Sequence, residues 1–272
     1  MTTGPTGDWG SVVHHVGQGQ TLGPEVLGQL VRGDVSVVVL RDLLPRETFD
    51  SHCQRIKGQF ARATTTRYVN GALTTIGPYL ARFLPDPEPY FREAEQTHDL
   101  FRELGFDLST RVRGRLKETL GLRAFEPARE PDGRPYAECI VRIHADGVRN
   151  PLHNDNIMRD AASLGMKVSQ LRHQLSCVVC LQECDAGGEL YHYRKKWNPE
   201  DEAFKIKGGL GYDEGVVQGH ACNVFKPRTG DVYLLNPTYY HAIERVGGAD
   251  RLTLAFFIGL PNETLDEAVV WS

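Results

Sequence analysis

The stretch NPLHNDNIMRD, residues 150–160, lies near the middle of a chain of 272 residues. It places His153 two residues before Asp155, and side chains two apart in an extended strand leave the same face. Asn, Asp and Pro are also the residues of polar turns, so His-x-Asp by itself does not separate a turn from half of a metal site. The rest of the chain decides between the two.

Composition limits the class of protein. The chain carries 31 Lys and Arg against 35 Asp and Glu, a formal net charge of −4. This balance argues against a general nucleic-acid binder, which needs a basic surface to neutralise phosphates. The N-terminus has no basic start followed by an apolar run, and no apolar stretch approaches the roughly 20 residues that span a bilayer. We therefore expect a soluble, cytoplasmic protein without nucleic-acid or membrane partners.

The first half of the chain has mainly helical patterns. It begins with glycine-rich, weakly patterned residues, and then the apolar run VSVVVL (35–40) predicts a buried strand. The apolar spacing predicts a helix over 44–56 and two more helices between 88 and 122. Ser109 or Thr110 is a candidate cap for the second of these two.

After residue 135 the patterns are those of strands. Short segments rich in β-branched and aromatic residues alternate with turns such as DAGG, RTGD and GGAD. We predict one α+β domain over 1–272, mainly β in its core. In it a mostly helical part, 1–134, packs on an antiparallel sandwich or barrel, 135–260. Residues 192–220 form a long insertion between predicted strands, and structureless loops of this length are usually lids or disordered.

Six cysteines raise the question of a zinc or redox site, because Cys177 and Cys180 form a C-x-x-C. Their surroundings, LSCVVCLQE, have strand character, and residues three apart in a strand point to opposite faces. No second C-x-x-C completes a four-ligand zinc site. We therefore expect these two cysteines to be buried and reduced.

A third ligand for the pair His153 and Asp155 has to come from a distant strand that faces them. His241 is the candidate, since it opens a predicted strand within NPTYYHAIERV (236–246). Two histidines and one carboxylate on one face form the facial triad of non-haem iron(II) oxygenases, which leaves coordination positions open. The alternative is a strand-end histidine without a ligand role.

The segment RLTLAFFIGL (251–260) alternates as a strand with two buried faces. Leu252, Leu254, Phe256 and Ile258 share one face, and Arg251, Thr253, Ala255 and Phe257 share the other. An arginine that points into a barrel needs an anion, because an unpaired buried charge is costly. A bound dicarboxylate supplies one through a bidentate guanidinium–carboxylate pair. The alternative is an edge-exposed arginine in a surface ion pair.

Five segments give residues 140–259 a resemblance to the iron(II)/2-oxoglutarate-dependent dioxygenase superfamily. In chain order they are VRIHADG (141–147), His153-x-Asp155, CLQECDAGGEL (180–190), FKPRTGDVYLLNPTYYHAIERV (225–246) with His241, and Arg251-x-Thr253. His144 stands where prolyl-hydroxylase-like members have a tyrosine. The size and the ligand spacing are similar to those of bacterial members that hydroxylate amino acids or tailor natural products.

The resemblance implies a double-stranded β-helix, the jelly roll of cupin-like proteins, with flanking N-terminal helices. It implies that His153, Asp155 and His241 hold Fe(II), and that Arg251 with Thr253 binds the C5 carboxylate of 2-oxoglutarate. The implied reaction consumes O2 and 2-oxoglutarate, releases succinate and CO2, and oxidises an aliphatic C–H bond, most simply by hydroxylation.

Further contacts with 2-oxoglutarate are expected from His144 and Gln174, although each is equally well explained as a polar core residue. The substrate is expected to be a small molecule. Basic residues around the ligands and in the insertion suit a carboxylate or phosphate on that substrate, unless they form a solvated charged surface. They are Arg159, Lys167, Arg172, Arg194, Lys195 and Lys196. The oligomeric state is not indicated by the sequence.

Two other functions fit the same scaffold. A protein or peptide hydroxylase would have an open groove in place of a covered pocket. A jelly-roll binding protein without catalysis would have no need of the complete ligand set with Arg251, which argues against it.

Asp155 bears on the type of chemistry. Halogenases related to these oxygenases have Gly or Ala at this position, where chloride then binds iron, so a carboxylate here implies hydroxylation, desaturation or cyclisation. Asp160 is the alternative carboxylate ligand, but it has no simple same-face relation to His153.

Overall fold

Two β-sheets and five α-helices make up the fold in the computed structural model, which describes residues 9–17 and 19–272. The strands of the described residues are β1 Ser11–His15, β2 Val37–Arg41, β3 Thr64–Tyr68, β4 Gly71–Ile76, β5 Ala124–Pro127, β6 Ile140–His144, β7 Asn150–His153, β8 His173–Gln182, β9 Leu190–Lys196, β10 Cys222–Phe225, β11 Val232–Leu235, β12 Tyr239–Ile243, β13 Arg251–Leu260 and β14 Glu267–Trp271. The helices are α1 Glu25–Arg32, α2 Arg46–Lys57, α3 Glu88–Glu103, α4 Leu108–Leu120 and α5 Ile157–Asp160.

The chain crosses repeatedly between the two sheets. Within the described residues the larger sheet has the order β1-β2-β11-β8-β13-β6-β4-β3, and β14 joins it beside β13 and carries β5. The smaller sheet has the order β10-β9-β12-β7. From β6 to β13 the chain thus passes from one sheet to the other and back, which is the double-stranded β-helix. The predicted jelly roll with flanking helices is confirmed.

The central strand β13 separates the main core from the space between the sheets. Leu252, Leu254, Phe256 and Ile258 are buried together with residues of α2 and α4, such as Phe49 and Leu116. On the opposite face, Ala255 packs with residues of both sheets. The alternation predicted for this strand is confirmed, because each face finds a different buried environment.

The N-terminal part is helical only in part. The strand β2 and the helices α2, α3 and α4 confirm the predicted elements, but β1, α1, β3, β4 and β5 are additional. The hairpin of β3 and β4 has the sequence TTTRYVNGALTTI, whose consecutive threonines lack the apolar pattern that marks a buried strand. The sheet therefore recruits more of this region than its apolar pattern indicates.

The predicted caps of α4 are wrong. The helix begins at Leu108, so Ser109 lies inside it and is buried, and Asp107 occupies the cap position. The Asp107 carboxylate accepts hydrogen bonds from His52 Nε2, at 2.8 Å, and from Arg111 Nε, at 2.9 Å. The apolar stripe sets the start of this helix, and an ion pair takes the place of a side-chain cap.

The insertion 192–220 is not a structureless loop. Strand β9 extends through Lys196, and short 3-10 helices cover Pro199–Phe204 and Glu214–Val217. Asn198 opens the first of these helices with a capping box. The polar composition that predicts a loop here is also the composition of helix caps, which is why the pattern was misleading.

The cysteine prediction is confirmed for the C-x-x-C. Cys177 and Cys180 lie in β8, both are buried, and both are free thiols. In the part of the chain that the structure describes, none of the helices is both long and apolar enough to cross a membrane.

Leu254→Ala tests the role of β13. Leu254 has no exposed surface, and removing a fully buried leucine side chain costs about 2–5 kcal/mol through lost burial and a residual cavity. We expect the free energy of unfolding in urea to fall by that amount. Val224→Ala, at an exposed position, is the control and should change it by about 0.5 kcal/mol or less. Equal losses in the two variants would contradict this assignment of the core.

Candidate metal centre

Strand pairing brings the three candidate ligands together. His241 in β12 lies opposite His153 in β7. Asp155 follows β7, and its own backbone N–H donates to the carbonyl of Pro237 at 2.9 Å. Asp155 Oδ2 is 3.9 Å from His153 Nε2 and 3.7 Å from His241 Nε2. One ligand atom from each of the three residues lies within 4.8 Å of the others.

Backbone carbonyls set the orientation of both imidazoles. His153 Nδ1 is 2.7 Å from the carbonyl oxygen of Pro151, and His241 Nδ1 is 3.0 Å from that of Tyr239. Since a carbonyl only accepts, each Nδ1 carries the proton and each Nε2 keeps a free lone pair. Burial, with a smaller contribution from His153, lowers the pKa of His241 well below its ordinary value, which favours the neutral imidazole that binds a metal.

These residues fit Fe(II). Two neutral nitrogen donors and one carboxylate on one side of a small space are the ligand set of the two-histidine, one-carboxylate triad. Two of these three residues, Asp155 and His241, line the cavity between the sheets.

Asp160 is not a member of this cluster. It is exposed at the end of α5, and its carboxylate accepts from Arg159 Nε at 2.6 Å. The alternative in which Asp160 replaces Asp155 as a ligand is therefore wrong on geometry.

Arg251 lies inside the protein, as the alternation of β13 predicts. Its relative exposure is 3%, which excludes the edge-exposed alternative. Nη2 donates to the hydroxyl of Tyr233 at 3.0 Å, whereas Nε is buried without a hydrogen-bond partner among the described residues. Arg251 and Thr253 line the cavity that also contains Asp155 and His241.

His144 lies beside Arg251, across the pairing of β6 with β13. Both of its ring nitrogens are buried, and neither has a hydrogen-bond partner in the described part of the chain. Burial, and then the positive charges of Arg251 and Arg142, lower the pKa of His144 well below its ordinary value. Unpaired buried polar groups are costly. A polar ligand with negative charge would satisfy both the ring of His144 and the guanidinium of Arg251.

Arg142 is a further cavity residue that the sequence pattern does not single out. It stands two residues before His144 on the same face of β6, and it lies opposite Thr253. Arg142 is half-buried and lines the cavity. The one feature of the sequence that could have identified Arg142 is its position two residues before His144. Many strand residues share such a spacing, so it is not specific.

The other candidates fall outside this cavity. Gln174 and Arg172 line a neighbouring cavity, so Gln174 is not beside Arg251. Arg159 pairs with Asp160 and stacks on the ring of Trp197 at 4.7 Å. Arg194 is exposed on β9, and its nearest hydrogen-bond partner is the carbonyl of Gly33 at 3.4 Å.

The fold and the ligand set define a non-haem iron(II)- and 2-oxoglutarate-dependent oxygenase. The sequence model of the family described as carrier-protein-independent halogenase WelO5 matches residues 17–272, and the chain belongs to this family.

Individual relatives are distant. The chain is 25% identical over 196 residues to the Leucinostatins biosynthesis cluster protein S of Purpureocillium lilacinum. The match covers 67% of this chain and 79% of the relative. Among solved structures it is similar to an N-substituted L-amino acid dioxygenase in complex with alpha-KG from Burkholderia ambifaria AMMD, with TM-score 0.61, 16% identity, and coverage of 92% of this chain and 91% of that one.

A second solved structure shares the fold. The alpha ketoglutarate dependent epimerase SnoN from nogalamycin biosynthesis matches with TM-score 0.51 and 13% identity, and the match covers 89% of each chain. At these identities both structures establish the architecture.

Asp155→Ala and Asp160→Ala form a matched pair of variants. We expect Asp155→Ala to weaken Fe(II) binding, measured anaerobically by calorimetry, because it removes one of three ligands. Asp160→Ala should retain the affinity of the unmutated protein, since Asp160 pairs with Arg159. The same order should hold for 2-oxoglutarate turnover, and the reverse order would refute the ligand assignment.

Proposed function

We propose that this protein uses Fe(II), 2-oxoglutarate and O2 to oxidise an aliphatic C–H bond of a small molecule, most simply by hydroxylation, and that it releases succinate and CO2. The observation that carries the proposal is the position of the Asp155 carboxylate, 3.7 and 3.9 Å from the free nitrogens of the two histidines. A ligand set of this kind holds iron and leaves positions for a chelating cosubstrate and oxygen.

Asp155 favours oxygenation over halogenation. In related halogenases a small residue at this position lets chloride bind iron. Here the Asp155 carboxylate would fill that space, so the substrate would receive hydroxyl, or lose a second hydrogen in a desaturation or cyclisation. The family is described by a halogenase, and we propose that Asp155 makes this member an oxygenase instead.

Side chains of the cavity define how 2-oxoglutarate would lie. The guanidinium of Arg251, oriented by Tyr233, would pair with the C5 carboxylate, and Thr253 and His144 would complete its hydrogen bonds. Bound Fe(II), with 2-oxoglutarate and O2, supplies an oxidant strong enough to attack an aliphatic C–H bond. Apolar side chains in the lining of the cavity would keep water away from these groups. The apolar residues are Val178, Leu190, Leu235 and Ile243.

The insertion supports a small-molecule substrate over a protein substrate. Lys195 Nζ binds Asp201 at 2.9 Å with both side chains almost fully buried, and Tyr240, next to His241, donates to the same carboxylate at 3.1 Å. Tyr212 packs with Leu152 and Tyr240. An insertion fastened in this way to β7 and β12 favours a covered pocket over the open groove of a peptide hydroxylase.

A biosynthetic intermediate is the substrate type that the relatives favour. The relative from Purpureocillium lilacinum carries the name of a leucinostatins biosynthesis cluster. A complete ligand set with a buried arginine beside it argues against a binding protein without catalysis.

Succinate release tests the proposed reaction. We expect the protein with Fe(II), 2-oxoglutarate and air to form succinate slowly even without substrate, and at the same rate in chloride and in sulfate buffer, because Asp155 leaves no ligand position for a halide. Nuclear magnetic resonance of the reaction mixture measures the product. A requirement for chloride, or a chlorinated product, would contradict the proposed type of chemistry.

Arg251→Ala tests the cosubstrate site. Truncating one partner of a buried charge pair costs at least ~2–5 kcal/mol, and we expect 2-oxoglutarate binding to weaken by that amount while Fe(II) binding stays nearly intact. Calorimetry of the Fe(II)-loaded protein without oxygen measures both affinities. Arg92→Ala, at an exposed position on α3, is the control. An unchanged affinity for 2-oxoglutarate in Arg251→Ala would remove Arg251 from the site.

A further inference from the structure

A second, polar cavity adjoins the metal centre on the side of Asp155. Asn156, which follows Asp155, lines it, and so does Gln174, which stands two residues before a cavity residue of the metal site, Ser176, on β8. Thr238 adds a wall next to Pro237, the residue whose carbonyl accepts the Asp155 N–H. Two consecutive residues, Asp155 and Asn156, thus line the metal cavity and the second cavity respectively.

Two amide side chains offer this cavity hydrogen-bond donors. Gln174 Oε1 accepts from the backbone N–H of Ile157 at 2.8 Å, and Asn156 Oδ1 accepts from that of Arg159 at 3.2 Å. A backbone N–H only donates, so the oxygen of each amide is identified and its NH2 group is the end left for another partner. Gln174 is 2% exposed, and its NH2 group has no partner among the described residues.

The charges around the cavity have one sign. Lys196 and Arg172 line it at the exposed rim, and none of the described residues that line it is acidic. Arg172 shares Glu263 with His173, but Lys196 has no carboxylate within ion-pair distance in the described part of the chain. Its Nζ lies 5.0 Å from the centroid of the Tyr239 ring.

Two of the acidic residues that follow Lys196 in the chain are already paired. Asp201 is held by Lys195, and Glu202 accepts from Trp197, Lys205 and Tyr212. Partial desolvation lowers the pKa of Lys196, as expected for an ammonium group that lacks a counter-charge.

The charges of the metal cavity also favour an anion. Its lining contains two arginines, Arg142 and Arg251, and among the described residues one acidic residue, Asp155. Fe(II) and the dianion of 2-oxoglutarate compensate each other, so the occupied site would keep an excess of positive charge. An anionic substrate balances that excess.

We infer that the cavity beside Asp155 binds a carboxylate group of the substrate, with Lys196 as its counter-ion and the NH2 groups of Gln174 and Asn156 as hydrogen-bond donors. The inference rests on the proposed function, and it names the substrate class as small organic acids. It also gives Gln174 a role toward the substrate in place of the role toward 2-oxoglutarate expected from the sequence.

Matched acid and amide probes test this inference. The probes are N-acetyl-L-leucine and N-acetyl-L-phenylalanine with their primary carboxamides, titrated into the anaerobic complex of the protein with Fe(II) and 2-oxoglutarate. We expect the acids to bind about ten-fold more tightly than the amides, since a hydrogen bond to a charged group is the difference between them. Calorimetry measures the affinities.

Two variants separate the roles of the groups. Lys196→Gln removes the charge, and Gln174→Glu keeps the oxygen that Ile157 needs while it replaces the NH2 donor with an anionic oxygen. Each should weaken binding of the acids about ten-fold and bring their affinity close to that of the amides. Arg194→Gln, on the same strand but outside the cavity, should leave it unchanged. Thermal unfolding confirms that each variant is folded.

Equal affinities of acids and amides, absence of binding by both acids, or unchanged affinities in both variants would overturn the inference. Inorganic phosphate that binds while the carboxylates do not would also overturn it. Succinate release without any probe tests the proposed function separately. A protein that binds the acids through Lys196 but forms no succinate would refute the oxygenase and keep the anion site.

Discussion

The pairing of β12 with β7 is the contact on which the site depends. It sets His241 opposite His153, and the register of β12 shifts on both sides of His241, against β9 before it and against β7 after it. Such irregularities re-aim a side chain without breaking the sheet, and they are common beside active sites. The hydrogen bond from Asp155 N–H to the carbonyl of Pro237 then ties the Asp155 backbone to the segment that leads into β12. A slip of one residue would send the histidines to opposite faces.

Electrostatics explains why this interior tolerates so much positive charge. Arg142 and Arg251 both face the space between the sheets, and His144 stays neutral beside them because burial and the guanidinium groups oppose its protonation. A buried cation without an anionic partner costs stability, and the 2-oxoglutarate that we propose would supply the opposite charge for Arg251. The positive charge of this cavity therefore supports the proposed site for an anion, and the apolar walls would strengthen each of these charge interactions.

The elements that follow apolar periodicity were predictable, and the polar ones were not. Strand β13 and helices α2, α3 and α4 bury a stripe that the sequence displays directly. The hairpin of β3 and β4 is rich in threonine and lies at the edge of the larger sheet, where β4 pairs with β6. The three candidate ligands were recognisable because metal coordination restricts residue types. The lack of a carboxylate partner for Lys196 was not, because it depends on which acidic residues pair with neighbouring side chains in the fold.

In the proposed function, the side chain of Asp155 decides between oxygenation and halogenation. The fold, the two histidines and the arginine are compatible with every outcome that begins by removal of a hydrogen atom, including the halogenation after which the family is described. In the proposed function, the group held next to the metal would decide which of these outcomes follows. In the proposed function the Asp155 carboxylate would take that place, while a small residue would leave it to a halide. The backbone N–H of Asp155 donates to the carbonyl of Pro237 and holds this segment beside β12. The same turn also carries Asn156 into the neighbouring cavity, so one short segment links the type of chemistry with the placement of the substrate.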